Sequence, residues 1–185
     1  SLTDEQIEEV KPDLAIVCEE QPNWHPTPFE QAHCYHGLGH LIMFATSADI
    51  NKSLEVCDVI SVKNDGRDFR SLCYGGLFMQ LFQPLEPEDF ALIEDKAPKK
   101  ESVKEFCVNL PGINLRKEAC WLQAWPHFRK EIKTAEGVIG FCSHMKDFSL
   151  QNITCYSQIF HIAAQSSNYE IGILKEFCGG FPSEL

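Results

Sequence analysis

The sequence predicts an all-α protein, a short α-solenoid of about four helical hairpins, each clipped by one disulfide. Three observations predict it. The nine cysteines of the 185-residue chain fall into two alternating classes at regular spacing. Apolar residues recur around both classes with the period of a helix. Between the classes lie proline, glycine and asparagine-aspartate stretches, where hairpin turns belong.

The first class comprises Cys18, Cys57, Cys107, Cys142 and Cys178. Apolar residues stand four before, one before and three after the cysteine: Val103, Phe106 and Leu110; Val138, Phe141 and Met145; Leu174, Phe177 and Phe181. With the cysteine itself these make the stripe of an amphipathic helix, here called an A helix. Gln21 breaks the pattern in the first copy. Ser53 breaks it in the second, beside Leu54 and ahead of Val56 and Ile60.

The second class, Cys34, Cys73, Cys120 and Cys155, is followed at once by an aromatic residue: Tyr35, Tyr74, Trp121 and Tyr156. Tyr74, Leu77, Phe78 and Leu81 then cover one face of about 100°. Trp121, Ala124, Trp125 and Phe128 do the same, as do Tyr156, Ile159, Phe160 and Ala163. These segments are the B helices. Pro126 is expected to shorten or bend the third, because it removes a backbone donor and clashes with the preceding turn.

Turns connect each A helix to its B helix: Pro22, Pro26 and Pro28 in the first hairpin, residues 64–68 in the second, Pro111-Gly112 in the third. Fifteen residues separate Cys18 from Cys34 and Cys57 from Cys73; twelve separate Cys107 from Cys120 and Cys142 from Cys155. Bridges Cys18–Cys34, Cys57–Cys73, Cys107–Cys120 and Cys142–Cys155 follow from that spacing. Each would constrain the unfolded chain by roughly 3 kcal/mol. A thiolate role for Cys34, as metal ligand or nucleophile, is the rival in a reducing setting. The sequence contains no C-x-x-C, which argues against zinc ribbons and thioredoxin-type redox sites. Cys178 has no B-class partner after it. Three readings stand: the natural chain continues, the thiol pairs in trans, or it is free.

Successive A cysteines lie 39, 50, 35 and 36 residues apart. The chain therefore reads as one helical-repeat domain over residues 1–185. Its copies span about 4–45, 46–83, 101–133 and 134–168, with a partial copy at 169–185. The long second interval holds an acidic, proline-containing stretch, residues 84–100, expected to be an exposed insertion. Hairpins of this length and pattern, over nearly the whole chain, resemble the tetratricopeptide and Sel1-like repeat superfamily in architecture, without the full consensus of either family. The resemblance implies a superhelical array with a ligand groove. The cysteine pairs resemble those of Sel1-like proteins from oxidising compartments.

The net charge of -11 argues against nucleic acid and anionic membrane surfaces, both of which need a cationic face. No apolar run nears the roughly 20 residues that span a bilayer, so no membrane insertion is expected. Cysteine richness points to a secreted, extracellular or periplasmic protein. The start at Ser1, without initiator Met or signal peptide, fits a processed product or a piece cut from a longer chain. Asn51 and Asn152 begin N-x-S/T sequons and are candidate glycosylation sites.

The densest metal-capable segment runs from His33 to His40. His33, His36 and His40 form one stripe on the first B helix, and the i, i+4 pair His36 and His40 suits a transition metal. His25 in the preceding loop is a further possible ligand. Six residues past the B cysteines stand His40, Met79, Pro126 and His161. These donor types are those of copper, zinc and haem sites. A solvated or ligand-contacting polar face is the other reading. Gly37 and Gly39 let a ligand or a second backbone approach.

Gln80, Gln123, Gln158 and Gln165 fall on the polar side of the B helices, where amides suit an extended peptide backbone. Trp24, Trp121, Trp125 and the B-helix tyrosines read as core between hairpins. Asp65 and Asp68 around Gly66 echo a calcium loop but lack its closing glutamate, and read as a turn. No Ser-His-Asp set, H-E-x-x-H or phosphate-binding glycine loop is present, so nothing marks an enzyme. The expectation is a non-catalytic module that binds a protein or peptide, or assembles with itself. The alternative is an extracellular metal- or haem-binding protein.

Overall fold

The computed structural model describes residues 2–148 and 152–181, with the side chains of residues 147, 148, 152 and 153 outside that description. Among the described residues it is all-helical; two isolated bridges, Gln21–Trp24 and Val62–Asp68, lie in the turns of the first two cysteine-linked pairs. The helices are α1 (Asp4–Ile16), α2 (Pro28–Ala45), α3 (Ile50–Ile60), α4 (Arg70–Phe82), α5 (Pro87–Ile93), α6 (Val103–Val108), α7 (Asn114–Gln123), α8 (Ala135–Ser143), α9 (Asn152–Ser166) and α10 (Ile171–Gly179). Disulfides join the turn after α1 to α2, α3 to α4, α6 to α7 and α8 to α9 through the four expected pairs, with Cα–Cα distances of 5.6, 5.8, 5.6 and 5.6 Å. Cys178 is a free, exposed cysteine.

Local sequence explains where these helices begin. Thr3 and Thr27 each cap a first turn, with Gln6 and Glu30 reaching back to the cap's amide in a reciprocal box. Pro28, expected in a loop, is instead the first residue of α2. Its missing N–H costs nothing there and its fixed φ suits the first turn. Asp49 caps α3 through the Lys52 amide. Pro126 acts as expected: α7 stops at Gln123, and residues Trp125–Phe128 continue as a 3-10 turn.

The apolar stripes face inward for the most part, with Phe160 of the fourth B helix exposed. Val56, Ile60, Val103, Leu110, Val138, Phe141 and Met145 are buried, as are Tyr74, Leu77, Phe78 and Leu81. Ser53, at an apolar position of the stripe, is fully buried and satisfied by the Thr46 hydroxyl at 2.7 Å. Val17 departs from the pattern and is exposed, because α1 ends before it and Cys18 sits in the following turn. Trp121, Tyr35 and Tyr74 are buried, and Trp24, Trp125 and Tyr156 half-buried.

α2 packs on α4, and α4 on α7. The first contact is backbone on backbone. A Cβ on Gly39 would lie 2.1 Å from the Cys73 carbonyl oxygen, and one on Gly76 would lie 1.9 Å from the His36 carbonyl oxygen. Glycine alone allows that approach. Gly37 has open space around it, so only Gly39 serves the role expected of both.

Polar clamps tie successive pairs together. Tyr35 donates to Glu19 at 2.6 Å, and Arg67 of the next pair holds the other carboxylate oxygen at 2.7 Å. Tyr74 donates to Asp58, and Arg116 of the next pair holds that carboxylate in turn. The third pair has Val108 in place of the acid and Trp121 in place of the tyrosine. There the indole N–H donates to the Phe141 carbonyl of α8 at 3.0 Å. Burial and the acceptor Asp58 push the Tyr74 phenol up to about 12. Asp65 and Asp68 hold Arg67 and Arg70 within their turn, as expected of a turn.

The stretch 84–100 is exposed over most of its length. It forms α5, whose Ile93 joins the core, and Asp89 is buried where it accepts from the Leu85 and Glu86 amides. The physical reason lies in its composition: one apolar face, Phe90 excepted, on a short acidic helix. At the other end α10 leaves Ile171 70% and Ile173 48% exposed.

Candidate functional site

A groove of about 390 Å³ runs across α2, α4, α7 and α9. It is built from recurring positions. Two and one residues before the B cysteine stand Ser71 and Leu72 in α4, and Glu118 and Ala119 in α7; Thr154 takes the nearer position in α9. Two and three residues after it stand His36 in α2, Gly75 in α4, Leu122 and Gln123 in α7, and Gln158 in α9. Leu115 completes the wall. These offsets differ by about one helical turn, so each helix presents a single stripe to the same opening.

Gly75 keeps the floor low. A Cβ there would meet the His36 ring at 3.4 Å. The rim carries amides and hydroxyls, and the wall is aliphatic. Among the described residues, none of the lining is a lysine or arginine. Glu118 is half-buried, and among the described residues it has no hydrogen-bond or ion-pair partner; burial raises its pKa. Burial also lowers the pKa of His36, helped by its neighbours His40 and His33, so its neutral form is favoured.

The structure divides the expected metal ligands. His36 and His40 are adjacent, with ring centroids 5.2 Å apart. His36 opens on the groove. His40 is committed to Gln80, donating from Nδ1 to the amide oxygen at 2.7 Å. His33 is exposed and donates to the Phe29 carbonyl at 2.8 Å. His161 is exposed on α9 and accepts from Gln165 at 3.0 Å. Met79 is half-buried in α4. His25 pairs with Glu20 in the loop. Among the described residues no three His, Cys, Asp or Glu side chains come together as a group able to hold a metal ion.

The glutamines divide as well. Gln123 and Gln158 line the groove, and Gln123 accepts from Gln83 at 2.8 Å. Gln165 is exposed. Gln80 corrects the expectation: it is 5% exposed, not on a polar face, because the glycine contact draws α2 onto that side of α4. Asp89 of α5 closes this corner. Burial pushes its carboxyl up, but the Glu86 and Leu85 amides and the nearby Gln80 and His40 outweigh burial and hold it low.

Asn51 is exposed in the first turn of α3, and the side chain of Asn152 lies outside the described residues. No helix among the described residues is long and apolar enough to cross a membrane. Glu118, Ser71 and Leu72 went unnoticed in the sequence. The available signal was their shared offset from the B cysteines, which the aromatic residues after those cysteines overshadowed.

Comparison with protein-family models, with curated proteins and with solved structures finds no match.

Proposed function

We propose that this is a secreted, non-catalytic helical-repeat module that binds an extended protein or peptide segment in the groove across α2, α4, α7 and α9. The observation that carries this is the repetition itself. Equivalent positions of four successive B helices line one opening and supply amides and hydroxyls beside aliphatic wall. A peptide in extended form needs that mixture, because its backbone must keep hydrogen bonds while its side chains lose water. The four disulfides favour an oxidising compartment.

A random heptapeptide library displayed on phage and panned on the intact, oxidised protein tests the proposal. Enriched peptides should bind the wild type and lose at least tenfold in affinity for Ser71→Trp, which fills the groove from an exposed position. Enriched peptides that bind Ser71→Trp as well as the wild type would overturn it, as would no enrichment at all.

A further inference from the structure

We infer that the groove receives a lysine or arginine side chain of the bound segment at Glu118, with an aliphatic neighbour of that residue on Leu72, Leu115 and Leu122. The inference rests on the groove reading above and deepens it to a class of ligand. Among the described residues, Glu118 is the one acidic residue of the lining, which holds no lysine or arginine. It stands in a half-buried place without a partner among the described residues. Other part-buried carboxylates of the fold are matched: Glu19 to Tyr35, Lys63 and Arg67, and Asp58 to Tyr74 and Arg116. An unmatched carboxylate in such a place is disfavoured unless a cation arrives.

The surroundings select the kind of cation. A metal ion is poorly served, since hard cations take several oxygen ligands and the lining offers a single carboxylate. An ammonium or guanidinium on an aliphatic stem fits both parts of the site. Its head meets Glu118 and its methylenes lie along the leucines. An anionic ligand meets no cationic side chain in the lining, and burial favours neutral His36. The chain's net charge of -11 adds a field that draws basic segments towards it.

The groove-dependent peptides from the panning provide the test. They should carry lysine or arginine beside leucine, isoleucine or valine. By titration calorimetry, Glu118→Gln should weaken them about tenfold or more, and raised salt should weaken their binding to the wild type. A peptide whose lysine is replaced by norleucine should bind wild type and Glu118→Gln equally. An unchanged thermal melt, or a higher one, for Glu118→Gln shows that the loss is not misfolding. Groove-dependent peptides that lack a cation, or that bind Glu118→Gln as well as the wild type, overturn this inference and leave the groove reading standing. Peptides indifferent to Ser71→Trp overturn the groove reading itself.

Discussion

Arg116 on α7 grips the carboxylate of Asp58 on α3, so an ion pair links two disulfide-clipped helix pairs that are not bridged by sulfur. The Arg116 side chain is only 10% exposed and Asp58 31%. Tyr74 shares the same acceptor, and the Arg116 guanidinium stands 6.0 Å over its ring. Removing one partner leaves the other charge poorly solvated. Partial exposure of Asp58 moderates the effect, so Arg116→Met should cost about 1–2 kcal/mol. For a chain of this size that is a melting shift of roughly 2–8 °C. Asp58→Asn should cost a similar amount. The double variant should cost clearly less than the two single effects added, by more than about 0.5 kcal/mol. Simple additivity would show that the two side chains do not act together.

The glycines of α2 make a matched pair of opposite sign. At Gly39 a methyl group would run into the backbone of Cys73 and Leu77, and backbone cannot swing aside. Gly39→Ala should destabilise by about 3 kcal/mol or more. At Gly37 the space is open, and helix propensity alone acts. Gly37→Ala should stabilise by about 0.5–1 kcal/mol. Chemical denaturation of the oxidised protein measures both. Equal effects at the two positions would contradict the close approach of α2 to α4.

Glu118 makes the stability of the fold depend on pH in a definite sense. Burial raises its pKa above the ordinary 4.5, so the folded chain holds that proton more tightly than the unfolded chain does. That contribution is fully present below pH 4.5 and is lost as pH rises through the folded value. Glu118→Gln should therefore melt higher than the wild type at pH 7, with the difference shrinking as pH falls towards 4.5. A constant difference across that range would mean that the carboxylate is not under strain from burial.

Thiol chemistry checks the framework. Alkylation of the unreduced protein under denaturing conditions should modify Cys178 alone, while the eight remaining cysteines react only after reduction. Proteolysis and mass spectrometry should find Cys18 with Cys34 and Cys57 with Cys73. Any crosslink between different helix pairs would reject this framework.

Sequence by itself determined the paired helices and the four bridges, though not α5. Those features follow from short-range rules. The period of apolar residues sets each helix face, Thr3, Thr27 and Asp49 set starts, and loop lengths between cysteines set which thiols can meet. Even the clamps were written locally, as an acid after Cys18 and Cys57 and a tyrosine after Cys34 and Cys73. Only tertiary structure decided what the polar faces do. In the sequence His36 and His40 read as candidate metal ligands or part of a polar face, and Gln80 as an amide on the polar side of its helix. The approach of α2 to α4 at Gly39 and Gly76 then placed His36 on a groove and turned Gln80 inward. Glu118 lines the groove for the same reason: its neighbours there come from α2, α4 and α9, and their meeting depends on how helices pack, which no local pattern in one helix encodes.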